Sequence, residues 1–238
     1  MKKGLIIGGS GEIGSQIAKS MADAGINVGV QYHKNADVVQ ELKADVPEGQ
    51  WAGSFFGDLS TQEGIERFLA SISKEWEMLV FAPGNHSAKL IQDVSFEEMD
   101  HYYHIHVKAL WMISQALIPS MVREQQGSIV VISSVWGEEG ASTEAIYSSV
   151  KGAQISYVKA LAKELAPSKI RVNTVTPGFI STKMNAQLSE EEHLNIYNEI
   201  PLGRPGTSRE VAEGVVFLLK QQSSYITGHT LRINGGWF

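Results

Sequence analysis

Leu5-Ile6-Ile7-Gly8-Gly9-Ser10-Gly11-Glu12-Ile13-Gly14 sets three apolar residues directly before four glycines in seven positions. The triplet reads as a buried strand, and the glycines as a loop without side chains that opens a helix near Ile13. A strand, a glycine turn and a helix in this order present backbone N–H groups and the positive end of a helix to an anion, and the absent side chains let a pyrophosphate come close. Gly8, Gly9, Ser10, Gly11, Ile13 and Gly14 are therefore candidates to hold a dinucleotide. The run parses either as Gly9-x-Gly11-x-x-Gly14 or as a wider Gly8-x-x-x-Glu12-x-Gly14 in which a glutamate stands where a middle glycine would. On its own it fits a tight turn with close helix–strand packing equally well.

Outward from this loop, short β-rich runs at 26–32, 78–81, 128–133, 170–175 and 231–233 alternate with helix-like stretches such as 13–24, 62–74, 97–125, 145–165 and 209–220. A weaker run at 51–56 completes seven strands. The alternation predicts an α/β fold: one domain over residues 1–238, a doubly wound (Rossmann) parallel seven-stranded sheet with helices on both faces. Residues 177–205 form the most irregular stretch and suit a flap over a substrate.

The chain has 238 residues, a net charge of -6 and no cysteine. It shows no basic excess for nucleic acid, and the lack of cysteine excludes disulfides, thiolate zinc sites and a cysteine nucleophile. The start, Met1-Lys2-Lys3-Gly4, is too poor in apolar residues for a signal peptide, and no later run reads as a membrane span, so the expected location is the cytoplasm.

The second strand ends in Gln31-Tyr32-His33-Lys34, where an acidic residue would hold the ribose hydroxyls of NAD. His33 and Lys34 instead suit a 2′-phosphate, which favours NADPH over NADH, although a solvated turn would look the same. Asp58, followed by Leu59, either accepts a hydrogen bond from adenine or caps the helix beginning near Ser60 or Thr61. After the fifth strand comes Ser134, with Tyr147 thirteen residues on and Lys151 four beyond that. Tyr147 and Lys151 share one face of a helix. A nearby ammonium is expected to lower the phenol pKa from its ordinary value near 10 and make Tyr147 a usable acid or base, while Ser134 hydrogen-bonds the substrate carbonyl.

With these pieces together, the whole chain resembles the short-chain dehydrogenase/reductase family. The resemblance is carried by the glycine loop, Ser134, Tyr147, Lys151, the run Arg171-Val172-Asn173-Thr174-Val175-Thr176-Pro177-Gly178 and the ending from Tyr225-Ile226-Thr227-Gly228 to Asn234-Gly235-Gly236. It implies hydride transfer between NADP(H) and a carbonyl, with Lys151 also binding the nicotinamide ribose. It further implies that the chain after Pro177 and Gly178 contacts nicotinamide around Ile180, that Thr182 lies near the cofactor amide or phosphates, that Gly84 keeps the turn after the fourth strand, and that copies assemble as tetramers or dimers. Within the family the chain looks most like the 3-oxoacyl-[acyl-carrier-protein] reductases, and closer still like the branch that reduces a 5-aminopentanone on elongation factor P. The branch resemblance rests on Ser133 to Glu138, on Gly140-Ala141-Ser142, on Lys151-Gly152-Ala153-Gln154 and on Asn234-Gly235-Gly236-Trp237.

Three positions depart from the family pattern. Glu12 is expected either to turn to solvent or to weaken the cofactor, so that Glu12→Gly would tighten NADPH. His106 stands where the family has an asparagine that helps hold a relay water behind the lysine, so the relay would be more pH-sensitive. Phe81-Ala82-Pro83-Gly84 replaces Asn-Asn-Ala-Gly and removes side-chain hydrogen bonds. His101 and His104 beside His106 suggest a metal, but no carboxylate or cysteine completes a ligand spacing and none is expected.

For the substrate, the basic residues that would dock an acidic acyl-carrier protein are thin, at Arg123 and Lys169, whereas Glu138, Glu139 and Glu144 lie between the catalytic serine and tyrosine. They attract a substrate ammonium or form a solvated acidic loop. Trp136 is either an apolar wall for the substrate or a core corner. A free small-molecule ketone as substrate and a non-catalytic nucleotide sensor are the competing readings.

Overall fold

The computed structural model describes residues 2–85, 88–183 and 188–238. Seven strands, β1 (Lys3–Ile7), β2 (Asn27–Tyr32), β3 (Trp51–Phe56), β4 (Met78–Phe81), β5 (Gly127–Ile132), β6 (Ile170–Pro177) and β7 (Thr230–Ile233), form one parallel sheet in the order β3-β2-β1-β4-β5-β6-β7. The helices are α1 (Glu12–Asp23), α2 (Ala36–Asp45), α3 (Gln62–Ser71), α4 (Phe96–Tyr103), α5 (Ala109–Glu124), α6 (Trp136–Glu139), α7 (Ala145–Leu165), α8 (Glu190–Glu199) and α9 (Ser208–Leu219).

Strand side chains alternate between two cores, as the two-residue period of a strand requires. Ile6, Val30, Val80 and Val130 pack with Ile17 and Met21 of α1 and Val215 of α9. Leu5, Ile7, Leu79, Phe81 and Val131 pack with Phe68 of α3, Leu110 and Ile113 of α5 and Val158 of α7. Both faces of the central strands are buried, which is why they read as unbroken apolar runs. Strand order reverses between β1 and β4, and ligands of such sheets sit at the carboxyl ends of the strands beside that point.

The structure revises the sequence reading in two places. The helix expected over 97–125 is α4 and α5 joined by a π-helical turn at His104–Lys108. The whole run Phe96–Glu124 has the length and hydropathy of a membrane-crossing helix, which the sequence reading had not counted, but half of its apolar window is buried inside the fold. The supposedly irregular 177–205 contains α8, started by a capping box in which the Ser189 hydroxyl accepts the Glu192 N–H and the Glu192 carboxylate accepts the Ser189 N–H. Ser189-x-x-Glu192 was the overlooked signal. Residues 184–187 of the expected flap lie outside the described residues.

Candidate active site

Gly8 leaves β1 with φ 75°, and a Cβ there would stand 2.7 Å from the Ala82 carbonyl oxygen. A Cβ on Gly14 would stand 2.2 Å from the Gly8 oxygen. These glycines are demanded by backbone packing, so the tight-turn reading holds alongside the nucleotide one. The N–H groups show what remains for a ligand. Gly8 donates to the Gln31 side chain at 2.8 Å, Gly9 to the Gln31 carbonyl at 2.9 Å and Gly11 to the Gly8 carbonyl at 3.2 Å. α1 then begins with Gly11 as its N-cap and no side-chain cap bond, so its first-turn donors face outward without a protein side chain to receive them. Ser10 and Ile13 flank this turn, both half-buried. Glu12 is exposed at the surface, as one of the two expectations had it, and there its carboxylate accepts the Lys183 N–H at 2.8 Å. The cradle fits an anionic dinucleotide.

At the ends of β2 and β3, His33 Nε2 lies 3.9 Å from Asp58 Oδ2, and the His33 ring rests against Phe56. Lys34 beside it is exposed and Leu59 is buried. Asp58 does not cap α3; that cap is Thr61, whose hydroxyl accepts the Gly64 N–H. Asp58 instead accepts both the N–H and the hydroxyl of Ser60. Partial desolvation pushes its carboxyl pKa up, but the two Ser60 bonds and His33 outweigh it, and the net shift is down. Gly84 is exposed past the end of β4, while Pro83 is buried against Gly8.

Ser134, at the end of β5, is buried and hydrogen-bonds the Tyr147 phenol. Along α7, Lys151 is 2% exposed, places Nζ 5.6 Å from the centre of the Tyr147 ring and donates to the Ile132 carbonyl at 2.9 Å. The three predicted groups thus converge. Their ionisation differs from expectation. Enclosure of the phenol oxygen holds the Tyr147 pKa above its ordinary value, assisted by Glu144 and Tyr102 and opposed by Ser134, while desolvation lowers Lys151 to about 7. The lysine does not depress the phenol here. Tyr147 therefore keeps its proton at neutral pH, the state an acid needs.

His106 sits in the π turn, completely buried, with Nε2 on the Asn85 side-chain oxygen and its carbonyl accepting Gln154 Nε2 at 2.9 Å. Its ring stacks on Tyr102 and meets Tyr147 edge-on at 6.1 Å. Burial, then Lys151 and His101, lower its pKa well below the usual imidazole value, so it stays neutral rather than titrating in the neutral range, which corrects the expected pH-sensitivity. Its Nδ1 is buried without a hydrogen-bond partner. Tyr102, Asn85, Gln154 and Gln31 were not singled out in the sequence. The signal for Gln154 was its spacing, since Tyr147, Lys151 and Gln154 at i, i+4 and i+7 fall on one helix face. His104 bonds the Asp100 carbonyl, and among the described residues no three histidine or acidic side chains gather as a metal site.

A cleft beside Tyr147 is lined by Lys89, Glu98, Tyr102 and Glu144. Glu144 thus shares a cleft with Tyr147. Glu138 and Glu139 lie elsewhere: Arg232 of β7 holds Glu138 at 2.9 Å and stands 3.6 Å from Glu139, so one cation is shared between the two carboxylates. Trp136 is half-buried and packs at 5.0 Å against Trp237 and at 5.3 Å against Phe238, a cluster of aromatic rings against the end of the chain. After β6, Gly178 donates to the Ile233 carbonyl, Ile180 is buried and bridges to Gly206, and Thr182 is half-buried. Pro177 ends the strand.

Residues 9–238 match the family described as enoyl-(acyl carrier protein) reductase. The chain is 42% identical over 238 residues to the uncharacterized oxidoreductase YmfI of Bacillus subtilis, covering 99% of this chain and 98% of that one. It is 36% identical to the 3-oxoacyl-[acyl-carrier-protein] reductase of Homo sapiens, over 97% of this chain and 95% of that one. A solved short chain dehydrogenase/reductase family protein superposes with a TM-score of 0.90 at 26% identity, covering 99% of this chain and 96% of that one.

Proposed function

From the premise that the chain belongs to the short-chain dehydrogenase/reductase family and is an oxidoreductase, we propose that it reduces a ketone carried on a protein, with NADPH as cofactor. The observation that carries this is the convergence of Ser134, Tyr147 and Lys151 at the carboxyl end of the sheet. Bound, the nicotinamide supplies the hydride. Tyr147 gives its proton to the carbonyl oxygen, and Ser134 holds that oxygen and stabilises the charge gathering on it. Lys151, when charged, binds the nicotinamide ribose and holds its ammonium beside the phenol ring. The Ile132 carbonyl fixes where that cation points.

The bare start of α1 receives the pyrophosphate, with Gly8, Gly9, Ser10, Gly11, Ile13 and Gly14 beneath it. His33 and Lys34 receive the 2′-phosphate, Asp58 and Leu59 lie at the adenine with Gly84, and Pro177, Gly178, Ile180 and Thr182 cover the nicotinamide. Similarity to 3-oxoacyl-[acyl-carrier-protein] reductases supports a carried ketone. Glu144 in the cleft beside Tyr147 supports an ammonium-bearing one, such as 5-aminopentanone on elongation factor P, whereas paired Glu138 and Glu139 do not. Half-exposed Trp111 and Tyr103 on α4 and α5 support assembly into a dimer or tetramer. The intact Tyr147, Ser134 and Lys151 oppose a non-catalytic sensor, and the same reading includes a cytoplasmic location.

The test follows NADPH absorbance with an acetoacetyl thioester, a free neutral ketone and aminopentanone-modified elongation factor P. Fastest turnover is expected with a carried ketone. Turnover of the free ketone alone overturns the carried substrate, and turnover of none overturns catalysis.

A further inference from the structure

Glu12 occupies the one position where the glycine spacing is broken, and its carboxylate accepts a backbone N–H from Lys183, 171 residues away in the chain. It is the first residue of α1, where the helix dipole favours a negative charge. The chain it reaches has just left β6. Ile180 bridges to Gly206, and the Ser181 N–H donates to the Gly206 carbonyl at 2.9 Å, so this stretch is tied on its far side as well. Thr182 sits between the two ties, half-buried, with its hydroxyl turned 3.5 Å from the Ile180 carbonyl. A glycine at position 12 would have no side-chain acceptor for Lys183.

We propose that Glu12 is a positioning residue for the cofactor: by holding the Lys183 N–H it straps residues 181–183 across the mouth of the glycine loop and keeps Thr182 over the nucleotide. The proposal rests on the reading of that loop as the NADPH site, and it reverses the expectation that a glycine at this position would tighten the cofactor. A carboxylate that would repel phosphates is retained because it closes the chain above them.

The test compares the full chain with Glu12→Gly and Glu12→Gln, the second keeping an acceptor oxygen without the charge. Two readouts are needed: titration of NADPH by its fluorescence with no ketone present, and the rate at which a protease cuts within residues 181–190 with no NADPH present. Circular dichroism confirms that each variant folds. Glu12→Gly is expected to bind NADPH about tenfold more weakly, the size of a lost hydrogen bond to a charged group, and to be cut faster, while Glu12→Gln keeps the parental affinity and cutting rate. Equal or tighter NADPH binding by Glu12→Gly overturns the strap, as does cutting of Glu12→Gly at the parental rate. A parent chain that fails to bind NADPH overturns instead the cofactor reading on which the strap depends.

Discussion

Helices α1 and α9 pack against each other on one face of the sheet and are each twelve residues long, yet their first turns are built in opposite ways. α9 is closed: the Thr207 hydroxyl accepts the Glu210 N–H at 3.2 Å, the Glu210 carboxylate accepts the Thr207 N–H at 2.8 Å, and Arg204 clamps that carboxylate at 2.6 Å. α1 begins on a glycine that offers no acceptor to its donors. The contrast extends beyond the helices. On the closed side, Arg171 donates to the carbonyls of Leu218, Leu219 and Lys220 and to the Ser223 hydroxyl. On the open side, Ser134 and Lys151 are buried beside a half-buried Tyr147, and the pKa values of the phenol and the lysine are displaced in opposite directions from their ordinary ones. Polar groups that answer one another hold a fold together; groups left with capacity to spare are available for a reaction, and such capacity costs stability.

If that division is right, changes on the open side cost turnover and spare stability, and changes on the closed side do the reverse. The largest effect is expected from Tyr147→Phe, which removes the proposed proton donor and should lower kcat by about a thousandfold with the melting temperature unmoved; parental turnover would break the comparison at its centre. Next is the pH profile. Lys151 is a cation below about 7 and neutral above it, because desolvation lowers its pKa. The sign follows: kcat/KM for NADPH, which reports the free enzyme, should fall about tenfold between pH 7 and 8.5, and a flat profile over that range would remove the lysine from the open side. The smallest effect sharpens the other half. Thr207→Ala should cost about 1 kcal/mol in denaturant unfolding and leave NADPH affinity unchanged, and a loss of affinity without loss of stability would show that α9 is not merely structural.

Much of this division could be read from residue order, because local chemistry determined it. The apolar runs gave six strands and the weak seventh, since strands buried on both faces admit little else. Ser134, Tyr147 and Lys151 were visible because a strand end and one helix face suffice to bring them together. What escaped notice depends on partners distant in the chain. Glu138 and Glu139 looked available for a substrate until Arg232, 94 residues after Glu138, was seen to hold them. The lysine was expected to lower the phenol pKa because spacing conveys proximity but not desolvation, which here raises the phenol and lowers the lysine. His106 looked like a pH-responsive relay for the same reason; it is buried within the π turn, a backbone detail that no side-chain pattern announced.

Gln31 is a buried amide near the end of β2, beside the edge strand β3, with its oxygen on the Gly8 N–H and its nitrogen on the Gly57 carbonyl at 2.7 Å. One side chain thereby couples the turn before α1 to the turn carrying Asp58, so the two cannot shift independently. On the proposed cofactor reading, redesign of nucleotide preference at His33 or Lys34 works on the rim of this hinge pin, and substitutions that tilt β2 are expected to loosen the glycine turn before they alter selectivity.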